Sequence, residues 1–467
     1  MRATPPRQGT AVAASPDAAS PPTGPLERTP PWRYALGMFG TSIPITMVKS
    51  SIVLFYVDIL GMDVRAYAVV MVLYAVIDAI DNPLLGHLSD RTRTRFGRRR
   101  PWLLIGAPLL AASMIALFSP PSALDGAALV LWFAVFAILS ELFDSMLNAN
   151  YGALLPELFP TERRRGLANV LRQAFQLVAM IISLALTPVL TTSLLGTEES
   201  TRGFTLTAVL YGLIAVVVIT VMALGVRENP QHALERRPRL LPAVVQVLKN
   251  PLFWSVGLTS ACYGIAVAIV LAGVQLYVRY TLGLPVAYAF VLQGVVILVC
   301  AGALFGWLRL IARIGALRTW RIAFIVLGVS FALMYFAGSL PAALGAGAVL
   351  GVGWAGMMAT NDLVIARVLD LDAVRDGVHR EGLFLSAFGV FGRLNGAVTG
   401  LALASLGLLF GYYSGERPGD APGQAFRVYL CLYPLVLCTI GAIASRFIRV
   451  PPPPAEAPVH AGAQSIA

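Results

Sequence analysis

The sequence predicts an all-α membrane protein of twelve transmembrane helices in two six-helix halves, and three observations carry that prediction. Of 467 residues, 57% are hydrophobic and 13% charged, with a mean hydropathy of +0.74, against about 45–50% apolar and about 25% charged in a soluble domain. Apolar stretches recur at the length of about 20 residues that a bilayer span needs. The basic residues behind the net charge of +11 fall in short loops between those stretches, where they set topology rather than recruit a polyanion. Composition thus excludes a nucleic-acid-binding or secreted globular protein and makes the lipid bilayer a partner.

Residues 1–31, rich in Pro, Ala, Ser and Thr, read as a disordered cytoplasmic tail. Spans follow at 33–60, 66–88, 102–119, 126–153, 168–193, 203–226, 254–281, 285–308, 320–338, 341–366, 382–410 and 426–447. The tenth opens at Pro341 and is the least secure, with the polar pair Asn361-Asp362 near its end offering a loop as the alternative. The longest polar interval, 227–250, is the expected cytoplasmic linker between an N-terminal half (32–226) and a C-terminal half (251–448), and 449–467 forms a second cytoplasmic tail. Arg91, Arg93, Arg95, Arg98, Arg99 and Arg100 after span two, and Arg236, Arg237 and Arg239 after span six, place those loops and both termini in the cytoplasm. Gly86 with its basic loop is echoed by Gly306 and the loop from Arg309 to Arg321, a faint sign of a parallel repeat. Cys262, Cys300, Cys431 and Cys438 lie in apolar runs without metal-ligand spacing and read as unpaired packing residues.

A charge inside a span costs about 2.5–3.5 kcal/mol on insertion scales, so Lys49, Asp78, Asp81, Glu141, Asp144, Arg172, Asp362 and Arg393 are candidates for function. In span two, DAIDNPLLG puts Asp78, Asp81 and Asn82 on one sector, and Pro83 frees a backbone carbonyl beside them. The cluster reads either as a site for Na⁺ or a proton, or as an anchor pairing with Lys49 or Arg172. Asp90, at the end of the same span beside Arg91, reads as a gate. Span four carries a polar stripe of Glu141, Asp144, Ser145 and Asn148. Arg172 in span five offers a fork for hydroxyls, a carboxylate or a phosphate, or else an ion pair with Asp144 or Glu141. The histidines, His87, His232, His379 and His460, join no catalytic or metal-binding pattern, and neither an enzyme nor a cofactor is expected.

FYVDILG, DAIDNPLLG, SDRTRTRFGRRRPW, YGALLPELFP and LDAVRDGVHREGLF together resemble the glycoside-pentoside-hexuronide:cation symporter family of the major facilitator superfamily. The resemblance implies the major facilitator fold, an inner-membrane location, and symport of a sugar or glycoside with H⁺ or Na⁺ by alternating access. Na⁺ would then be a co-transported ion, and nothing demands more than a monomer. The family's cation site, two carboxylates on span two in a D-x-x-N-D-P pattern, falls on Asp78 and on Asn82, with Asp81 where the asparagine is expected, so that the pair is swapped. Ser145 and Asn148 are the supporting polar residues. The family's sugar site falls on Ser42, Asn148, Gly152 and Arg172, and Arg393 takes the place of the lysine of span eleven. Asp144 joins this substrate set from the stripe. Lys49, seven residues after Ser42 on nearly the same face, is expected to act as a tethered cation that pairs with Asp78 or Asp81 and replaces bound Na⁺. Losing two sugar-facing carboxylates leaves a lysophospholipid-like amphiphile as the alternative cargo, and a non-transporting membrane sensor as the alternative class.

Overall fold

The computed structural model describes residues 29–92, 94, 97–159, 162–197, 200–226, 251–376 and 381–448, without the side chains at 80–84, 86–87, 90–91, 156, 162–163 and 369–387. The expected linker and most of both expected tails lie outside these residues. Proline at the start of a helix costs nothing, because its missing N–H has no partner there anyway, and α1 (Pro31–Val53) accordingly opens at Pro31, inside the expected tail. There follow α2 (Val64–Arg91), N-capped by Asp63, whose carboxylate accepts the Arg65 N–H at 2.8 Å, then α3 (Arg100–Leu117), α4 (Gly126–Leu158), α5 (Glu162–Val189) and α6 (Thr201–Gly225). The second half runs through α7 (Pro251–Leu276), α8 (Ala289–Ile314), α9 (Ala316–Phe336), α10 (Leu340–Asp376), α11 (Glu381–Phe410) and α12 (Pro422–Phe447). Eleven of these helices are long and apolar enough to cross a membrane. That count covers the described residues, which leave out side chains at 80–84 in the 28-residue α2. Asn361 and Asp362 lie inside α10, which continues to Asp376, so the expected tenth span forms and its polar end is helix, not loop: once an apolar helix is packed on its neighbours, two polar residues at a cavity do not end it.

Packing repeats with a period of six helices. Within the first half, α1 packs on α5 and α6, α3 on α4 and α6, and α2 on α4; adding six to each label gives α7 on α11 and α12, α9 on α10 and α12, and α8 on α10, all of them observed. The halves meet where α2 crosses α11, where α5 crosses α8, and along α1 and α7. Details repeat as well. Arg100, opening α3, donates from Nε to the Ala223 carbonyl at the end of α6 (2.6 Å), and Arg321, in the second turn of α9, donates from Nε to the Ser445 carbonyl at the end of α12 (3.0 Å), each cation satisfying the orphan carbonyls of a helix end.

Both α1 and α7 end in a wide π-helical turn, Leu54–Ile59 and Tyr277–Thr281. The same closing bonds recur: Leu60 N–H to Phe55 O and Met62 N–H to Tyr56 O in one, Leu282 N–H to Tyr277 O and Leu284 N–H to Val278 O in the other. Each turn exits through a glycine in the left-handed region, Gly61 at φ 70° and Gly283 at φ 64°, a conformation a side chain would strain. Large apolar residues such as Phe336, Phe447 and Leu408 are more than three-quarters exposed on the outer surface, which suits lipid and would be untenable in water. One buried polar pair ties α1 to α4: Tyr34 and Tyr151 stack at 4.5 Å, each hydroxyl donating to the other's backbone carbonyl (3.2 and 2.9 Å).

Candidate functional site between the halves

Where α1, α2, α4, α7 and α11 converge, the two halves enclose a cavity of about 250 Å³. Its polar lining comes from Lys49 on α1, Tyr74 and Asp78 on α2, Ser140 and Glu141 on α4, and Arg393, Asn395 and Thr399 on α11, set among apolar residues of α1 and α7. Helical spacing explains the assembly: Tyr74 and Asp78 are four apart on one face. Tyr74 donates its hydroxyl to Glu141, tying α2 to α4. Arg393 Nε stands 3.7 Å from Asp78 Oδ1, with both side chains under one-fifth exposed, and this pair crosses from one half to the other. Lys49 is exposed to the cavity, and its ammonium bears electrostatically on both Asp78 and Asp144.

Asp144, one turn beyond Glu141, is buried with Oδ1 unpartnered, while its backbone carbonyl accepts the Asn148 amide at 3.1 Å. Arg172 bears on Tyr34 and Tyr151, and its Nε is buried without a hydrogen bond. An ion pair from Arg172 to Asp144 or Glu141 is not found among the described residues; the tyrosine clasp occupies the space between α1 and α4 beside it. Gly152 is exposed, and a Cβ there would meet nothing within 4 Å. Ser42 and Ser145 are buried and do not line the cavity. The side chains of Asp81, Asn82, Asp90 and Arg91 lie outside the described residues, so the swapped carboxylate pair and the Asp90 gate have no geometry here. Tyr74 and Asn395 were missed in the sequence, although the spacing of Tyr74 from Asp78 was an available signal.

A second junction joins the halves on the face opposite the start of α1 and the end of α12. Asp58, in the wide turn of α1, has a fully buried carboxylate that meets Arg279 Nη1 at 2.8 Å and accepts the hydroxyls of Tyr280 (2.5 Å) and Tyr412 (3.0 Å). Backbone bonds flank it, Gly415 N–H to Val57 O and Val64 N–H to Tyr413 O, both 2.9 Å. Arg65 lies over the Tyr413 ring. On the near face, Glu157 at the end of α4 takes Arg98 and Arg99, which fixes part of the arginine-rich loop within one half.

Two helical halves related by a repeat, a charged cavity between them and a latch across one face define a multi-pass membrane transporter. A family model described as MFS/sugar transport protein matches residues 33–451, and the chain belongs to that family. It is a transporter of the sugar symporter type and not an enzyme. It is 24% identical over 452 residues to the isoprimeverose transporter of Lactiplantibacillus pentosus, covering 92% of each chain. It is 25% identical over 415 residues to the glucuronide carrier protein homolog of Escherichia coli K12, covering 86% of this chain and 89% of that one. Among solved structures, the xylose transporter XylE from E. coli in a partially occluded inward-open conformation superposes with a TM-score of 0.62 at 11% identity, covering 90% of this chain and 99% of that one. The nucleoside transporter NupG gives 0.67 at 12% identity, covering 89% and 99%. At these identities the structural likeness speaks for the fold alone.

Proposed function

We propose that this protein resides in an inner membrane with both termini cytoplasmic, binds a sugar or glycoside in the cavity between its halves, and couples its movement to a cation. The observation that carries this reading is the ion pair between Asp78 and Arg393 across the cavity. Each partner belongs to a different half, so its making and breaking is tied to their relative movement. A guanidinium held at 3.7 Å by one carboxylate is weakly committed. When a proton or cation neutralises Asp78, Arg393 is released to fork onto substrate hydroxyls or a uronate carboxylate. Empty, the pair holds the halves together; loaded with both ligands, it is replaced by contacts through the substrate. Lys49 supplies a tethered positive charge beside Asp78 and Asp144, which favours H⁺ over Na⁺ as the coupling ion.

Uptake into proteoliposomes tests this reading, using labelled D-xylose, isoprimeverose and a methyl glucuronide under an imposed pH gradient or an imposed Na⁺ gradient. Accumulation of a sugar driven by the pH gradient alone is the expected result. Accumulation driven only by Na⁺ overturns the role of Lys49, and accumulation of lysophospholipid with no sugar overturns the cargo.

A further inference from the structure

The central cavity has a neighbour. Between α7, α10 and α11 a second space of about 500 Å³ adjoins it, the two sharing Gly264, Gly392 and Asn395 in their walls. Asp362, a charge within a span that the central site leaves unused, faces this second space. Its carboxylate is met by the side chain of Asn361, its neighbour in sequence. Three further polar atoms in the wall are buried without a hydrogen bond: Ser260 Oγ on a residue 8% exposed, Asn361 Oδ1 and Asn395 Oδ1. Phe388 and Phe391, edge-on to each other at 5.4 Å, form the apolar side. Gly389 leaves the floor open, since a Cβ there would meet nothing within 4 Å.

Orphaned polar atoms inside a membrane helix bundle are costly, and a ligand that satisfies them recovers that cost. A carboxylate accepts two adjacent hydroxyls, amides both accept and donate, and an aromatic face packs on a ring's C–H face. We infer that this space is a second subsite that takes an uncharged, hydroxyl-bearing ring, so that the transported molecule has two linked rings: one beside Asp78 and Arg393, the other beside Asp362. An acyl chain laid there would leave all of these polar groups unpaired. The inference rests on the sugar-carrying reading above and narrows it from sugars in general to two-ring glycosides.

Equilibrium binding by the full-length protein in detergent, followed by tryptophan fluorescence, separates the two claims when D-xylose and the two-ring probe isoprimeverose are compared. The wild type is expected to bind isoprimeverose about tenfold more tightly than D-xylose. Gly389→Leu, which fills the floor, and Asp362→Asn, which weakens the diol contact, are each expected to erase that advantage while D-xylose affinity stays within about twofold. Sugars that bind with equal affinity, or variants that lower both affinities alike, overturn the subsite and leave the transporter reading standing. Binding of neither sugar overturns the sugar-carrying reading and the subsite with it. Gly389→Leu enlarges a side chain into open space and removes no contact, so it remains informative if Asp362→Asn does not fold.

Discussion

The two junctions between the halves use the same chemistry to opposite effect. At the far face, Asp58 is fully buried, holds Arg279 at 2.8 Å and two tyrosine hydroxyls, and is flanked by two backbone bonds. In the centre, Asp78 holds Arg393 at 3.7 Å beside about 250 Å³ of open space. An acid and an arginine become a fastener where the carboxylate is buried and held by a close cation and two hydroxyls, and a switch where the pair is long and within reach of solutes. A carrier needs both: one seam firm enough to close the far face, and one contact loose enough for ligands to replace.

If that contrast holds, the largest effect falls on the fastener. Asp58→Ala strands Arg279 and both hydroxyls, and removal of one partner of a buried pair costs about 3–5 kcal/mol. Proteoliposome uptake is expected to fall by more than about tenfold, with hydrogen–deuterium exchange rising at both wide turns. Gly415→Ala tests the same seam from the other half, because its Cβ would sit 1.8 Å from the Asp58 carbonyl. Full uptake in both variants would show that the seam is not needed for closure.

The switch should respond differently. Asp78→Asn removes its charge, and the expected loss is of gradient-driven accumulation, with exchange of substrate down its own gradient retained; equal loss of both would make Asp78 a structural residue. Lys49→Ala is a finer test. Removing the tethered ammonium is expected to introduce a dependence on Na⁺ that the wild type lacks, visible as a thermal shift on adding Na⁺ at constant ionic strength. The smallest effect belongs to Tyr34→Phe, which deletes one hydroxyl of the clasp outside both junctions. About 1 kcal/mol of stability is expected to go, read as a modestly lower unfolding temperature with uptake unchanged.

How far the sequence disclosed these features follows from their physics. Spans were legible because apolar run length is a local property, and α2 was recognisable in the same way. Lys49, Asp78, Glu141 and Arg393 were legible individually because a charge in hydrocarbon needs a reason. Their convergence was only partly so, since Tyr74 and Asn395 carry no such penalty and raise no alarm. Asp58 escaped notice as a candidate although it stands in a quoted motif. It lies near the end of its span, where a charge is cheap, and its partners at 279, 280 and 412 are brought to it only by the packed fold. Arg172 shows the converse: its charge marked it as a substrate fork or as a partner for Asp144 or Glu141, whereas packing sets it against two tyrosines.

The matching wide turns carry a historical implication. Their bonds and glycines align at a spacing of 222 residues, Gly61 with Gly283 and Leu60 with Leu282, which makes Tyr280 the counterpart of Asp58. These two counterparts are the residues that bond each other at 2.5 Å. Two identical halves facing one another would set carboxylate against carboxylate at that point, or phenol against phenol. The far-face seam is therefore a product of asymmetry, an interaction that a duplicated ancestor could acquire only after its two copies had begun to differ.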